Sequence, residues 1–157
     1  MDFRIVALPA ATFAPLYGLH EANLAARSVR RVVADRQPGF PCRVSLADAA
    51  PGETLLLLNY EHLPQPGPYR SSHAIFVREH AVECKPAVNE IPDVLARRLL
   101  SVRAFDADGM MLDADVGEGR EVAALIGRYL DDERVDFVHL HNARPGCYAA
   151  RAVRAGS

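Results

Sequence analysis

Tryptophan is absent from this chain, cysteine occurs three times, and Lys85 is the one lysine among 18 basic residues. Cys42, Cys84 and Cys147 are odd in number, widely separated and never in C-x-x-C spacing. That excludes a disulfide framework and leaves free thiols in a cytoplasmic protein as the expectation. A charge excess of one sign is also missing. The formal net charge is −2, so there is no overall basic field, and the six Phe and five Tyr do not interleave with a basic stretch. Nucleic acid is therefore not an expected partner. No apolar run approaches the ~18–20 residues of a membrane span, so no membrane partner is expected either. Residues Ile5 to Leu19 carry no charge, but Asp2 precedes them and Pro9 and Pro15 interrupt them. A first β-strand, not a secretory leader, is expected there.

What is present is a globular composition: 157 residues, 50% hydrophobic and 24% charged, with a mean hydropathy of −0.03. A chain of this size buries roughly 69% of its unfolded surface, enough for one core, so a single domain over residues 1–157 is expected. Strands are predicted at Phe3 to Leu8, Val29 to Ala34 and His73 to Arg78, with extended structure at Cys42 to Leu46. Thr54 to Tyr60 (TLLLLNY) is apolar on both sides, the pattern of a strand covered on both faces. Val135 to His141 and Cys147 to Arg154 supply the last two strands. A helical stretch is read between Pro9 and Ala25, and another opens at Ile91-Pro92-Asp93. The strongest helix is Gly119 to Asp131, where Val122, Leu125, Ile126, Tyr129 and Leu130 share one face. The fold class is α+β: one mixed, mostly antiparallel sheet of about seven or eight strands with about two or three packed helices.

Five segments taken together resemble a known family. They are PGFPCR (Pro38 to Arg43), DAAPGETLLLLNY (Asp48 to Tyr60), PYRSSHAIFVRE (Pro68 to Glu79), SVRAFDADGMM (Ser101 to Met111) and HNARPGCYAARAVR (His141 to Arg154). Their order is similar to that of a bacterial family catalogued as domain of unknown function 1203. The resemblance spans most of the chain and implies one domain, with no activity or catalytic residue to carry over. Glycine is frequent in that family at the position of His73, which argues against His73 as a ligand.

Chemistry is expected at three places. His139 and His141 alternate about Leu140, so both imidazoles leave one face of a strand with Cα atoms about 6.8 Å apart. They are the candidates for a metal pair, with His62, Glu61 and Cys147 as further donors. With no HExxH or paired-cysteine spacing, no metal and no cofactor is assigned from sequence. Cys42, between Pro41 and Arg43, is a candidate reactive thiol, and Cys147 is a second. Cys42, His139 and His141 are thus the catalytic candidates. Arg43, Arg70 and Arg151 flank strand ends, where guanidinium forks suit a carboxylate or phosphate, and the loop Pro64 to Ser72 adds Tyr69. Arg43, His62, Tyr69, Arg70, Cys147 and Tyr148 are the ligand-binding candidates. These residues fit a pocket for a small anion, and whether it is an enzyme's pocket they leave open. The rival reading is a non-catalytic interaction module that uses a sheet face or edge, with a homodimer as one form of it.

Asp106-Ala107-Asp108-Gly109 lacks the first oxygen ligand of a calcium loop, because Ala104 stands there. A hairpin turn is expected instead, with Arg103 opposite Asp113, Phe105 opposite Met111, and Gly109 at positive φ.

Overall fold

The computed structural model describes residues 1–156. Among the described residues, eight strands form two antiparallel sheets rather than the single sheet expected. Strands β1 (Phe3–Val6), β5 (Leu99–Phe105), β6 (Met111–Glu118), β7 (Phe137–Asn142) and β8 (Tyr148–Arg154) make a five-stranded sheet in the order β1-β8-β7-β5-β6. Strands β2 (Arg30–Val33), β3 (Thr54–Leu63) and β4 (Ser71–Arg78) make a three-stranded sheet in that order. The apolar TLLLLNY run is the central strand β3 of the smaller sheet, with Leu55 and Leu56 both fully buried and facing opposite sides. Local pattern identifies such a strand but does not name its neighbours, which is why one sheet and two read alike in sequence.

Four short helices complete the fold. Helix α4 (Val122–Asp131) lies where the apolar stripe predicts, burying Val122, Ile126, Tyr129 and Leu130. Gly119 leads into it because a Cβ there would sit 1.9 Å from the Leu95 carbonyl oxygen. Helix α3 (Asp93–Ala96) adds Val94 and Leu95. The predicted helical stretch after Pro9 breaks into α1 (Ala10–Phe13), one tighter turn at Ala14–Leu16, and α2 (Glu21–Ala25). Pro15 falls inside the tighter turn, and Gly18, at φ +69°, interrupts the helical path. The extended stretch expected at Cys42 to Leu46 is instead a turn with isolated bridges at Pro41–Asp48 and Cys42–Phe76. Leu46 there takes a positive φ of 49°, which no strand accommodates.

The β5–β6 hairpin corrects a second expectation. Phe105 does face Met111, and Gly109 has φ +82°. A bulge then takes up Leu112, so Ala104 faces Asp113 and Arg103 faces Ala114, not Asp113. β6 is an edge strand, largely exposed, and the shift turns Asp115 toward Arg128 of α4 at 3.9 Å. A pattern that assumes one buried face does not hold on a strand with neither face covered.

The two faces of the five-stranded sheet differ in chemistry. Leu100, Val102, Ala104, Val138, Leu140, Ala150 and Ala152 pack with α3 and α4 into the main apolar core. Alternate positions on the same strands place Ser101, Arg103, Phe105, Phe137, His139, His141 and Arg151 on the opposite face, and a register shift between β7 and β8 adds Tyr148, opposite His141. That face meets the smaller sheet through Tyr60, His62 and Leu63 of β3.

Candidate functional site

Period-two alternation along β7 sends His139 and His141 into the layer between the sheets. Both are buried, at 3% and 2% exposure. The central position of β7 surrounds them: Arg103 of β5 and Arg151 of β8 flank His139, and Ser101 and Tyr148 flank His141. His62 arrives from the other sheet. β3 carries a bulge between Tyr60 and Leu63, and such an irregularity re-aims side chains locally. The His62 ring centroid lies 5.7 Å from that of His139 and 4.9 Å from that of His141. Tyr148 stacks on His62 at 5.4 Å and meets His139 edge-on at 5.0 Å.

The imidazoles are held neutral. Burial pushes His62 down to about 4 and His141 down to about 3, and it pushes His139 further below the ordinary value. Arg103 opposes a charge on each of the three, and Arg151 also opposes one on His139. The Nδ1 of His141 lies 2.9 Å from the Gly146 carbonyl oxygen. A carbonyl only accepts, so in the neutral ring Nδ1 carries the proton and Nε2 keeps its lone pair.

A second cluster lies at the far end of β7. Arg43 is 2% exposed and is held by the turn that replaced the expected strand. Its Nε donates to the Tyr148 carbonyl at 2.7 Å, Nη1 to the Pro41 carbonyl at 2.6 Å, and Nη2 to the Cys147 sulfur at 3.0 Å. The Asn142 amide also donates to that sulfur, at 3.5 Å. Burial lowers the Arg43 pKa, and Cys147 counteracts it. Among the described residues no carboxylate pairs with this guanidinium. Arg43 and Cys147 line a cavity of about 890 Å³, together with His73, Asn142, Arg36, Arg97, Arg98 and Arg144. Glu118 is the single acid on its wall. Asp48 holds Arg98 by two short bonds at 2.6 and 3.1 Å from outside the cavity, and Asp35 holds Arg36 at 3.0 Å.

The candidates read from sequence therefore divide. His62, His139, His141 and Tyr148 come together between the sheets, and Arg43 and Cys147 come together at the cavity. Cys42 is buried in the core cluster of the smaller sheet, its sulfur accepting the Ser45 and Arg78 amides at 3.4 and 3.2 Å. Tyr69 is 39% exposed, edge-on to Phe105. Arg70 is exposed and paired with Glu61 at 3.1 Å. The expected pocket spanning all of these does not form, because the Pro64 to Ser72 loop carries Tyr69 and Arg70 outward. Cys42, Cys84 and Cys147 are free thiols. Sequence reasoning missed Arg97, Arg98 and Arg144 as cavity residues and Arg103 as a neighbour of His139. The Arg97-Arg98 doublet ahead of β5 was the one available signal.

The family described as "Protein of unknown function (DUF1203)" matches residues 39–154, a span that holds all of these site residues except Arg36. The chain belongs to that family. The match leaves out β1, α1, α2 and β2, so the family region contains both clusters and four of the five strands of the larger sheet. No curated protein and no solved structure matches the chain. Among the described residues, no helix is long and apolar enough to cross a membrane.

Proposed function

We propose that the chain acts as one domain in a reducing compartment and binds a small anion in the arginine-lined cavity. The observation that supports this reading is the charge of the wall. Five arginines and one glutamate line the cavity, in a protein whose net charge is −2; Arg36 is paired with Asp35 and Arg97 and Arg98 with Asp48, which leaves Arg43 and Arg144. Arg144 is exposed and makes no ion pair among the described residues, and Arg43 is buried against carbonyls and a sulfur instead of a carboxylate. Guanidinium forks in a partly desolvated wall suit a carboxylate or phosphate, which they bind through paired N–H groups. Cys147 lies on the wall beside Arg43, and the free thiols fit a reducing compartment.

The test is thermal unfolding with phosphate, succinate or chloride at equal ionic strength. Saturable stabilisation by phosphate or succinate is expected, rising to about 2.7 kcal/mol at a hundredfold excess over Kd. Arg144→Ala should weaken the effect without lowering the midpoint of the free protein. Identical midpoints in the three salts would overturn the reading.

One observation favours the interaction-module reading beside it. β6 is an edge strand with Leu112 39% and Val116 56% exposed, and an open edge of that kind invites pairing with a second copy. Sedimentation of the wild type and of Val116→Lys separates the two. A dimer lost on substitution supports edge pairing, and a wild-type monomer at all concentrations removes it.

A further inference from the structure

We propose that His62, His139 and His141 form a binding site for one divalent transition-metal ion of the zinc type. Each residue offers one ring nitrogen, and these nitrogens lie within 4.8 Å of one another. Three separate buried nitrogens, His62 Nδ1, His139 Nδ1 and His141 Nε2, have no hydrogen-bond partner among the described residues. Buried polar atoms are nearly always satisfied, and each unsatisfied one costs about 1–3 kcal/mol. Three orphans on three touching rings point to one shared missing partner. The Nδ1 of His141 is already committed to the Gly146 carbonyl, the outer contact that fixes a ligating histidine with its Nε2 lone pair available.

The donor set narrows the ion. Three imidazoles with no carboxylate among them exclude calcium and magnesium, which take oxygen ligands, and suit zinc, cobalt, nickel or copper. Two bonds of about 2.1 Å at a tetrahedral angle span about 3.4 Å, so the nitrogens must draw together by roughly an ångström. His62 is the ring free to move: it is half-buried and sits at the β3 bulge, whereas the β7 pair is fixed in the centre of its sheet. Three protein ligands leave a fourth position open, as in sites that bind water or substrate. The ligands are neutral and Arg103 and Arg151 stand beside His139, so that position suits an anion such as hydroxide. The site is separate from the arginine-lined cavity, whose wall includes none of the three histidines.

The experiment uses the full chain, stripped with a chelator and titrated with cobalt(II) and then with zinc(II). The expected result is one cobalt ion per chain, with the visible absorption of a four-coordinate nitrogen site, displaced by zinc. His62→Gln, at a half-buried position outside the main core, should weaken binding about 100-fold or more; loss of even an outer contact costs 10–100-fold. Arg144→Ala should bind cobalt as the wild type does, whatever its effect on phosphate. Absence of stoichiometric binding by the folded wild type would overturn the proposal and assign the three nitrogens to a bridging water. A cobalt–thiolate charge-transfer band would overturn it in favour of Cys147, and so would an unchanged spectrum in His62→Gln.

Discussion

The two faces of the five-stranded sheet are built from adjacent residues of the same strands, yet they follow opposite rules. On the helix side Leu140 sits between Val138, Leu100 and α4 in a core of apolar side chains whose one phenol is Tyr129, the arrangement that maximises burial. On the other side, one residue away in either direction, His139 and His141 are as buried as Leu140 but leave ring nitrogens unpartnered. Stability alone favours the first arrangement at both faces. A buried polar layer that gives up stability at the centre of a sheet is where a binding role is to be sought.

The largest expected effect that probes this contrast is on pH. In the unfolded chain the histidines take protons near 6.5, whereas burial keeps His139 and His141 neutral in the fold well below that value. The unfolded state therefore binds more protons below pH 6.5. Stability of the metal-free protein should be full above that pH and fall as the pH drops toward about 3. The two buried rings each contribute about 1.4 kcal/mol per pH unit at most, and half-buried His62 contributes less. Urea unfolding at a series of pH values checks this, and a flat profile between pH 6.5 and 4.5 would break the comparison.

Leu140→Ala attacks the other face. It should cost about 2–5 kcal/mol by leaving a cavity in the α4 core, read from the urea midpoint, while leaving the pH slope unchanged. Gly109→Val should cost about 1–3 kcal/mol, because Gly109 has φ +82° and a Cβ there would meet the Gln65 side chain at 2.8 Å. This substitution tests the hairpin that positions β5, and a neutral result would contradict its turn. The smallest effect sharpens the contrast most. His139→Leu, of similar volume, should change stability at pH 7.5 by less than about 1.5 kcal/mol in either direction and should flatten the pH profile.

The sequence exposes these features unequally. The strands, helix α4 and the shared face of His139 and His141 follow from periodicity, which any window of the chain displays. Gly109 at positive φ follows from turn chemistry. The partition into two sheets does not, because the apolar run of β3 shows a strand covered on both faces but not that β2, β3 and β4 close off as a sheet of their own. The β5–β6 register fails by one residue because a bulge at Leu112 has no sequence signature. Arg103 joins the histidine layer through the β5–β7 pairing, which sets it opposite His139. Arg97, Arg98 and Arg144 face one cavity with Arg43 only once the turn at Cys42 to Leu46 has formed, and that turn reads as a strand.

Neutral imidazoles from both sheets meet in one layer between them. Imidazole proton and nitrogen NMR shifts followed from pH 7.5 to 4.5 test it most directly. His139 and His141 are expected to stay neutral while the fold persists, with the proton of His141 on Nδ1. Ordinary titration of either ring near 6.5, or a His141 proton on Nε2, would contradict it.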